Sequence, residues 1–189
     1  MRDDGHRVLT DRKLSESTDQ RVIDVPFERV DLAGWLFSLA SVEFQRCCAP
    51  DHIAYGFTTT EDGRPLPVVV ELIGGALLVE PFEALVHRSD CCELVSLADV
   101  RLPTGWRTRA QITWTASVEA LDDDRSTYTN AVTAYATEDF LRVLERTDTP
   151  FEVLAATQQA ASTDHSDRET PGYAESIARW AHAAGRAVA

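Results

Sequence analysis

The chain has 189 residues, 44% of them hydrophobic and 8% aromatic, which suits one self-sufficient core rather than two domains or a disordered polymer. Its formal charge of −13, from 31 acidic against 18 basic residues with no basic cluster, opposes a phosphate backbone, so no nucleic acid partner is expected. No run is long and apolar enough to span a bilayer, and Met1-Arg2-Asp3-Asp4 does not open a secretory signal, so no membrane partner and a cytoplasmic location are expected.

Residues 1–20 are polar and lack periodicity, which predicts a flexible N-terminal arm ahead of a single domain over 21–189. The stretch 21–27 alternates briefly and carries Pro26 near its end, the mark of an edge strand. Asp31 then caps a helix whose apolar residues Leu32, Trp35, Leu36, Leu39 and Val42 form one stripe, and Pro50 stops it. Trp35 reads as core packing. The adjacent pairs Cys47-Cys48 and Cys91-Cys92 fit neither a CxxC redox site nor a zinc knuckle, so they read as small buried hydrophobes.

From residue 52 to residue 137 the pattern has period two, with turn residues at regular intervals. Asp62-Gly63 turns 52–60 into 65–73, Ser89-Asp90 turns 77–87 into 92–100, and Asp122-Asp123-Asp124 turns 109–119 into 127–137. Thr137 caps a helix through Phe140, Leu141 and Leu144, and 151–161 forms another. The polar run 162–169 reads as a loop, after which Thr170-Pro171 opens an extra C-terminal helix over 172–184. The order predicts an α+β fold: an antiparallel β-sheet of six to seven strands curled around a C-terminal helix, a helix-grip.

Hairpin geometry assigns faces, because residues opposite one another across a turn share a side. Tyr55 falls opposite Glu71 and Phe57 opposite Val69, on the more apolar face, so Glu71 points inward with them. The turn at 122–124 places Val118 near Tyr128, Ala116 near Asn130 and Trp114 near Val132, again facing inward. The same reasoning turns Leu78, Glu80, Leu94, Ser96 and Ala98 inward. An inner face with Tyr55, Glu71, Glu80, Ser96, Tyr128 and Asn130 on it must be hydrogen-bonded internally or wetted by a pocket.

The element order over about 21–161 resembles the START/SRPBCC helix-grip superfamily, which includes polyketide cyclase-like proteins. Three stretches, Val70-Glu71-Leu72-Ile73-Gly74-Gly75, Tyr128-Thr129-Asn130 and Glu169-Thr170-Pro171-Gly172-Tyr173-Ala174, resemble recurring features of an uncharacterised subgroup. The resemblance implies a cavity holding a hydrophobic small-molecule substrate or ligand, often in natural-product biosynthesis. The expected activity is a cofactor-independent, cyclase- or lyase-like step, a cyclisation or dehydration driven by substrate positioning and acid/base catalysis. Glu71, Glu80 and Asn130 are the catalytic candidates, and Tyr55, Phe57, Trp114, Tyr128 and Ser96 the ligand-binding ones. The alternatives are a non-catalytic binder or carrier and a homodimer built on the polar outer face. The five histidines are scattered, no nucleophile triad or dinucleotide motif appears, and no metal ligand set or cofactor is predicted. A single lysine, Lys13, among 18 basic residues suggests a high-GC, actinobacterial source.

Overall fold

A computed structural model describes residues 6–187. Eight antiparallel strands run β1 (Val8–Ile23), β2 (His52–Thr59), β3 (Pro65–Ile73), β4 (Ala76–Pro81), β5 (Glu83–His87), β6 (Cys91–Arg101), β7 (Arg107–Ala120) and β8 (Ser126–Thr137). They pair in the order β1-β8-β7-β6-β4-β3-β2, with β5 on β6 beside β4, so the segment expected as one strand over 77–87 is bent at Phe82 into two. Among the described residues the α-helices are α1 (Leu32–Leu36), α2 (Ser41–Cys47), α3 (Glu138–Arg146) and α4 (Phe151–Ala187). The fold is the antiparallel α+β grip expected from the period-two stretch.

The expected arm is corrected over most of its length. Residues 8–20 belong to β1, which runs along β8 in register from Ser15↔Ala134 to Ile23↔Ser126; residues 1–5 lie outside the described residues. An edge strand in contact with a helix needs few apolar residues. In β1 only Leu14, Ser15 and Ile23 are buried, and much of its hold is polar: the Gln159 side chain accepts from the Glu16 amide at 3.0 Å and donates to the Glu16 carbonyl at 2.7 Å, while Ser166 donates to Asp19 at 2.6 Å.

The extra C-terminal helix is also corrected, because α4 is one helix of 37 residues, about 55 Å long, with Pro171 inside it. Its buried positions, Ser162, His165, Ser166, Glu169, Thr170, Tyr173, Ala174, Ser176, Ile177 and Ala181, recur every three or four residues, so it is α4 that lies across the concave face. The single helix expected from Leu32 is broken into α1 and α2 where the Ser38 hydroxyl bonds back to the Gly34 carbonyl at 2.6 Å. Trp35 is a core residue as expected, edge-on to Tyr173 with ring centres 5.5 Å apart.

At Gly172 the α4 backbone touches α2 so closely that a Cβ would lie 2.1 Å from the Cys47 carbonyl oxygen. That contact fixes α4 against the rest of the molecule, and with it the side chains that α4 sends inward.

Candidate functional site

The β7–β8 register is the expected one, with Val118↔Tyr128, Ala116↔Asn130 and Trp114↔Val132. In β2–β3 the pairing is displaced by two residues, Tyr55↔Val69 rather than Tyr55 opposite Glu71, with an irregularity between His52 and Ala54. A shift of two preserves the face, so Glu71 still points inward and its cross-strand partner becomes His52.

Glu71, Glu80, Asn130, Trp114, Tyr128, Tyr55 and Ser96 are all buried, but they do not form one site. Tyr55 donates its hydroxyl proton to the Leu36 carbonyl at 2.9 Å, a structural tie between β2 and α1. The hydroxyls of Tyr128 and Ser96 are buried without a partner among the described residues, and neither residue lines the interior cavities described below. Phe57 is not buried: it is 46% exposed near the turn of the β2–β3 hairpin, opposite Pro67, and packs on Phe37 and Tyr55.

Glu71, Glu80 and Asn130 do converge, together with three residues that were not among the site candidates from the sequence: His52, His165 and Glu169, the last of them the first residue of one of the resembling stretches. His52 Nε2 is 3.6 Å from Glu71 Oε2 and 3.3 Å from Glu169 Oε2. His165 Nε2 is 3.5 Å and 3.4 Å from the same two oxygens. No described arginine or lysine enters this cluster; Arg168, at its outer edge, pairs with Asp51. These four residues form a set of side chains that could hold a metal ion, and Cys48 with the two histidines forms another.

A surrounding shell fixes each member. His52 is stacked on Phe44, ring centres 3.9 Å apart, and its Nδ1 meets the Phe44 carbonyl at 2.8 Å. A carbonyl only accepts, so Nδ1 carries the proton and Nε2 turns its lone pair inward in the neutral ring. His165 Nδ1 is 3.0 Å from Asp51 Oδ2, and Arg168 donates to the same oxygen at 2.5 Å. Trp114 donates its indole N–H to Asn130 Oδ1 at 2.8 Å, which aims the Asn130 amide N–H at Glu169 Oε1, 2.9 Å away. Asn130 therefore positions Glu169 rather than facing the cavity.

The electrostatics follow from burial. Desolvation, reinforced by the charge of Glu71 and a hydrogen bond with it, lifts Glu80 well above the usual carboxylate range. Burial also works against charge on Glu169, but contacts from His165 and His52 outweigh it and hold Glu169 below that range. For His165 burial opposes protonation, whereas Cys48, Glu169 and Glu71 favour it and win. Burial pushes the Cys47 thiol up to about 12 and that of Cys92 to about 11, in keeping with unreactive packing residues.

Two small interior cavities meet at the carboxyl pair. One, about 60 Å³, lies between the sheet and α4, with Glu71, Glu80, Leu78, Val100, Ile112 and Phe140 in its wall. The other, about 30 Å³, is bounded by Glu71, Glu80, Glu169, Trp114 and Tyr173. Both are far below the roughly 300 Å³ at which drug-sized ligands begin to fit, and hold a few water-sized molecules. A cleft of about 430 Å³ lies on the surface around Trp106 and Arg107 and contains none of the inward cluster.

What the sequence concealed was the pairing of chemistry with topology. His165 and Glu169 are four apart on one helical face, the spacing of a helix-borne ligand pair, and the available signal was that spacing inside a polar run. His52 came into play only through the register of β2 on β3.

No protein-family model matches the chain, and no curated protein matches it by sequence. Solved structures do match. The Zhui aromatase/cyclase of Streptomyces sp. R1128 is 8% identical over 88% of this chain and 93% of its own, at a TM-score of 0.56. A hypothetical protein of Helicobacter pylori is 7% identical over 92% and 91%, at 0.50. A START superfamily protein of Mycobacterium smegmatis is 9% identical over 88% and 97%, at 0.45. At such identities the likeness is one of fold. With its eight antiparallel strands wrapped on α4, the chain has the START/SRPBCC helix-grip fold.

Proposed function

We propose that the protein is an enzyme acting on a compact organic molecule between the sheet and α4, with the buried histidine–glutamate cluster as its chemical centre. The observation that carries this reading is the gathering of Glu71, Glu80, Glu169, His52 and His165, each at most 8% exposed, with the three carboxylates in the walls of the two interior cavities. Withdrawing carboxylates from water costs several kcal/mol apiece, and a well-packed apolar interior would be at least as stable, so packing alone gives no reason to place them there. Perturbed ionisable groups in a cleft are the usual mark of a working site. Glu71 and Glu80 face the substrate space, and Asn130 and Trp114 hold Glu169 in place.

A cyclisation or dehydration of a polyketide-like intermediate remains the reaction class that the family resemblance suggests. A fused-ring substrate would need α4 to draw away from β3 and β7, whereas about 60 Å³ favours a molecule of only a few heavy atoms. The apolar remainder of the wall, with Leu78, Val100 and Ile112, supports a second reading, a non-catalytic binder of a small hydrophobic molecule.

A thermal-shift panel separates these readings. It should include small carbonyl compounds, hydroxy acids, single-ring phenols and fused-ring polyphenols, each followed by an assay for conversion. The enzyme reading expects a raised Tm with at least one compact member, and consumption of that compound. A raised Tm without conversion supports the binder, and no response from any class contradicts both.

A further inference from the structure

We infer that His52, Glu71, His165 and Glu169 form a binding site for one divalent transition-metal ion of the zinc class. The inference goes beyond the proposed function and stands whether or not the centre turns over a substrate.

The first ground is distance. Four contacts link two imidazole Nε2 atoms to two carboxylate oxygens at 3.3, 3.4, 3.5 and 3.6 Å, and each carboxylate presents the same Oε2 to both rings. Were the rings imidazolium ions bonded to carboxylates, N–H···O separations of about 2.7–2.9 Å would be expected. Tetrahedral coordination with metal–ligand bonds of about 2.0–2.1 Å instead sets the ligand–ligand edges at about 3.3–3.4 Å. The contacts fall near that value and outside the hydrogen-bond one.

The second ground is satisfaction. His165 Nε2 is buried and has no hydrogen-bond partner, although it points into the cluster. With Nδ1 of His52 directed at a carbonyl and Nδ1 of His165 at the Asp51 carboxylate, both Nε2 atoms face Oε2 of Glu71 and Oε2 of Glu169. A single proton on His165 Nε2 cannot serve both carboxylates at these distances, whereas a cation in its place meets all four atoms at once.

The third is charge and support. Two neutral imidazoles and two carboxylates balance a divalent ion. Three of the four ligands also have the outer partner that metal sites use to fix tautomer and aim: the Phe44 carbonyl for His52, Asp51 for His165, and Asn130 for Glu169. Two nitrogen and two oxygen donors suit zinc and its borderline neighbours better than calcium or magnesium, which prefer an all-oxygen shell. The cavity of about 30 Å³ that shares Glu71 and Glu169 as walls puts the ion at the border of the proposed substrate space.

The test uses the full chain, stripped with a chelator, checked for native circular dichroism, and titrated with Zn2+, Co2+, Fe2+ and Mn2+. Expected are one ion per chain by elemental analysis, a raised Tm, and the intense visible bands of four-coordinate cobalt with Co2+. His165→Gln and Glu169→Gln should abolish all three signals, and Asn130→Ala should weaken affinity about 10- to 100-fold. Glu43→Gln, at a surface pair with Arg179, should change nothing. The inference is overturned if the folded, stripped wild type takes up none of the four ions at one per chain. It is equally overturned if uptake persists undiminished in His165→Gln and Glu169→Gln. Because both criteria can be read on the wild type and on either variant, a variant that fails to fold does not rescue the proposal.

Discussion

Glu169→Ala, measured in chelator so that no ion contributes, is expected to lower stability by on the order of 3–5 kcal/mol, the range for breaking a buried charged cluster by removing one partner. Glu169 is 5% exposed and faces His52 and His165, with Asn130 donating to its other oxygen. Alanine leaves two imidazoles and an amide without their partner, beside a cavity of only about 30 Å³. The midpoint of urea unfolding should fall with the slope unchanged. A loss below about 1 kcal/mol would mean that the cluster is wetter than its burial implies.

Gly172→Ala is the second large effect. The added Cβ would sit 2.1 Å from the Cys47 carbonyl oxygen, 2.6 Å from its Cα and 2.7 Å from its carbonyl carbon. These are backbone atoms and cannot rotate away. Alanine gains about 1 kcal/mol of helix propensity, but overpacking against a fixed neighbour costs about 1–3 kcal/mol and here should reach or pass the top of that range. Because Glu169 and Tyr173 flank Gly172 on α4, the substitution should also disturb the cluster. Gly56→Ala is the control, since nothing lies within 4 Å of the Cβ it adds. A Tm for Gly172→Ala equal to that of Gly56→Ala would refute the close approach.

The two variants mark where the sequence was readable and where it was not. Alternation and turns disclosed the strands, and hairpin reasoning placed Glu71, Glu80, Trp114 and Asn130 on the inner face, because period two survives any register error of two residues. The same reasoning expected Phe57 on the buried face, but next to the hairpin turn it is 46% exposed. Of β1 only the end, within the edge strand expected over 21–27, was visible; residues 8–20 were not, because an edge strand tied by backbone pairing and polar contacts carries no apolar rhythm.

The middle of α4 was hidden by the site itself. Ser162, His165, Ser166, Glu169 and Thr170 occupy buried helical positions that would ordinarily be apolar, so the run read as a loop, and Pro171 reinforced that reading. A polar stripe at helical spacing beside a sheet with inward carboxylates is thus a signal in its own right. His52 and His165, 113 residues apart, meet only in three dimensions.

The central claim, that this buried cluster is the chemical centre, is tested most directly by the turnover of Glu71→Gln on the first compact compound the panel shows to be converted. Glu71 lines both cavities and contacts both imidazoles. Glutamine keeps its shape but not its charge. The account predicts a fall in kcat on the order of 100-fold or more, with the ligand-dependent rise in Tm retained. A variant that converts the compound at the wild-type rate would contradict it.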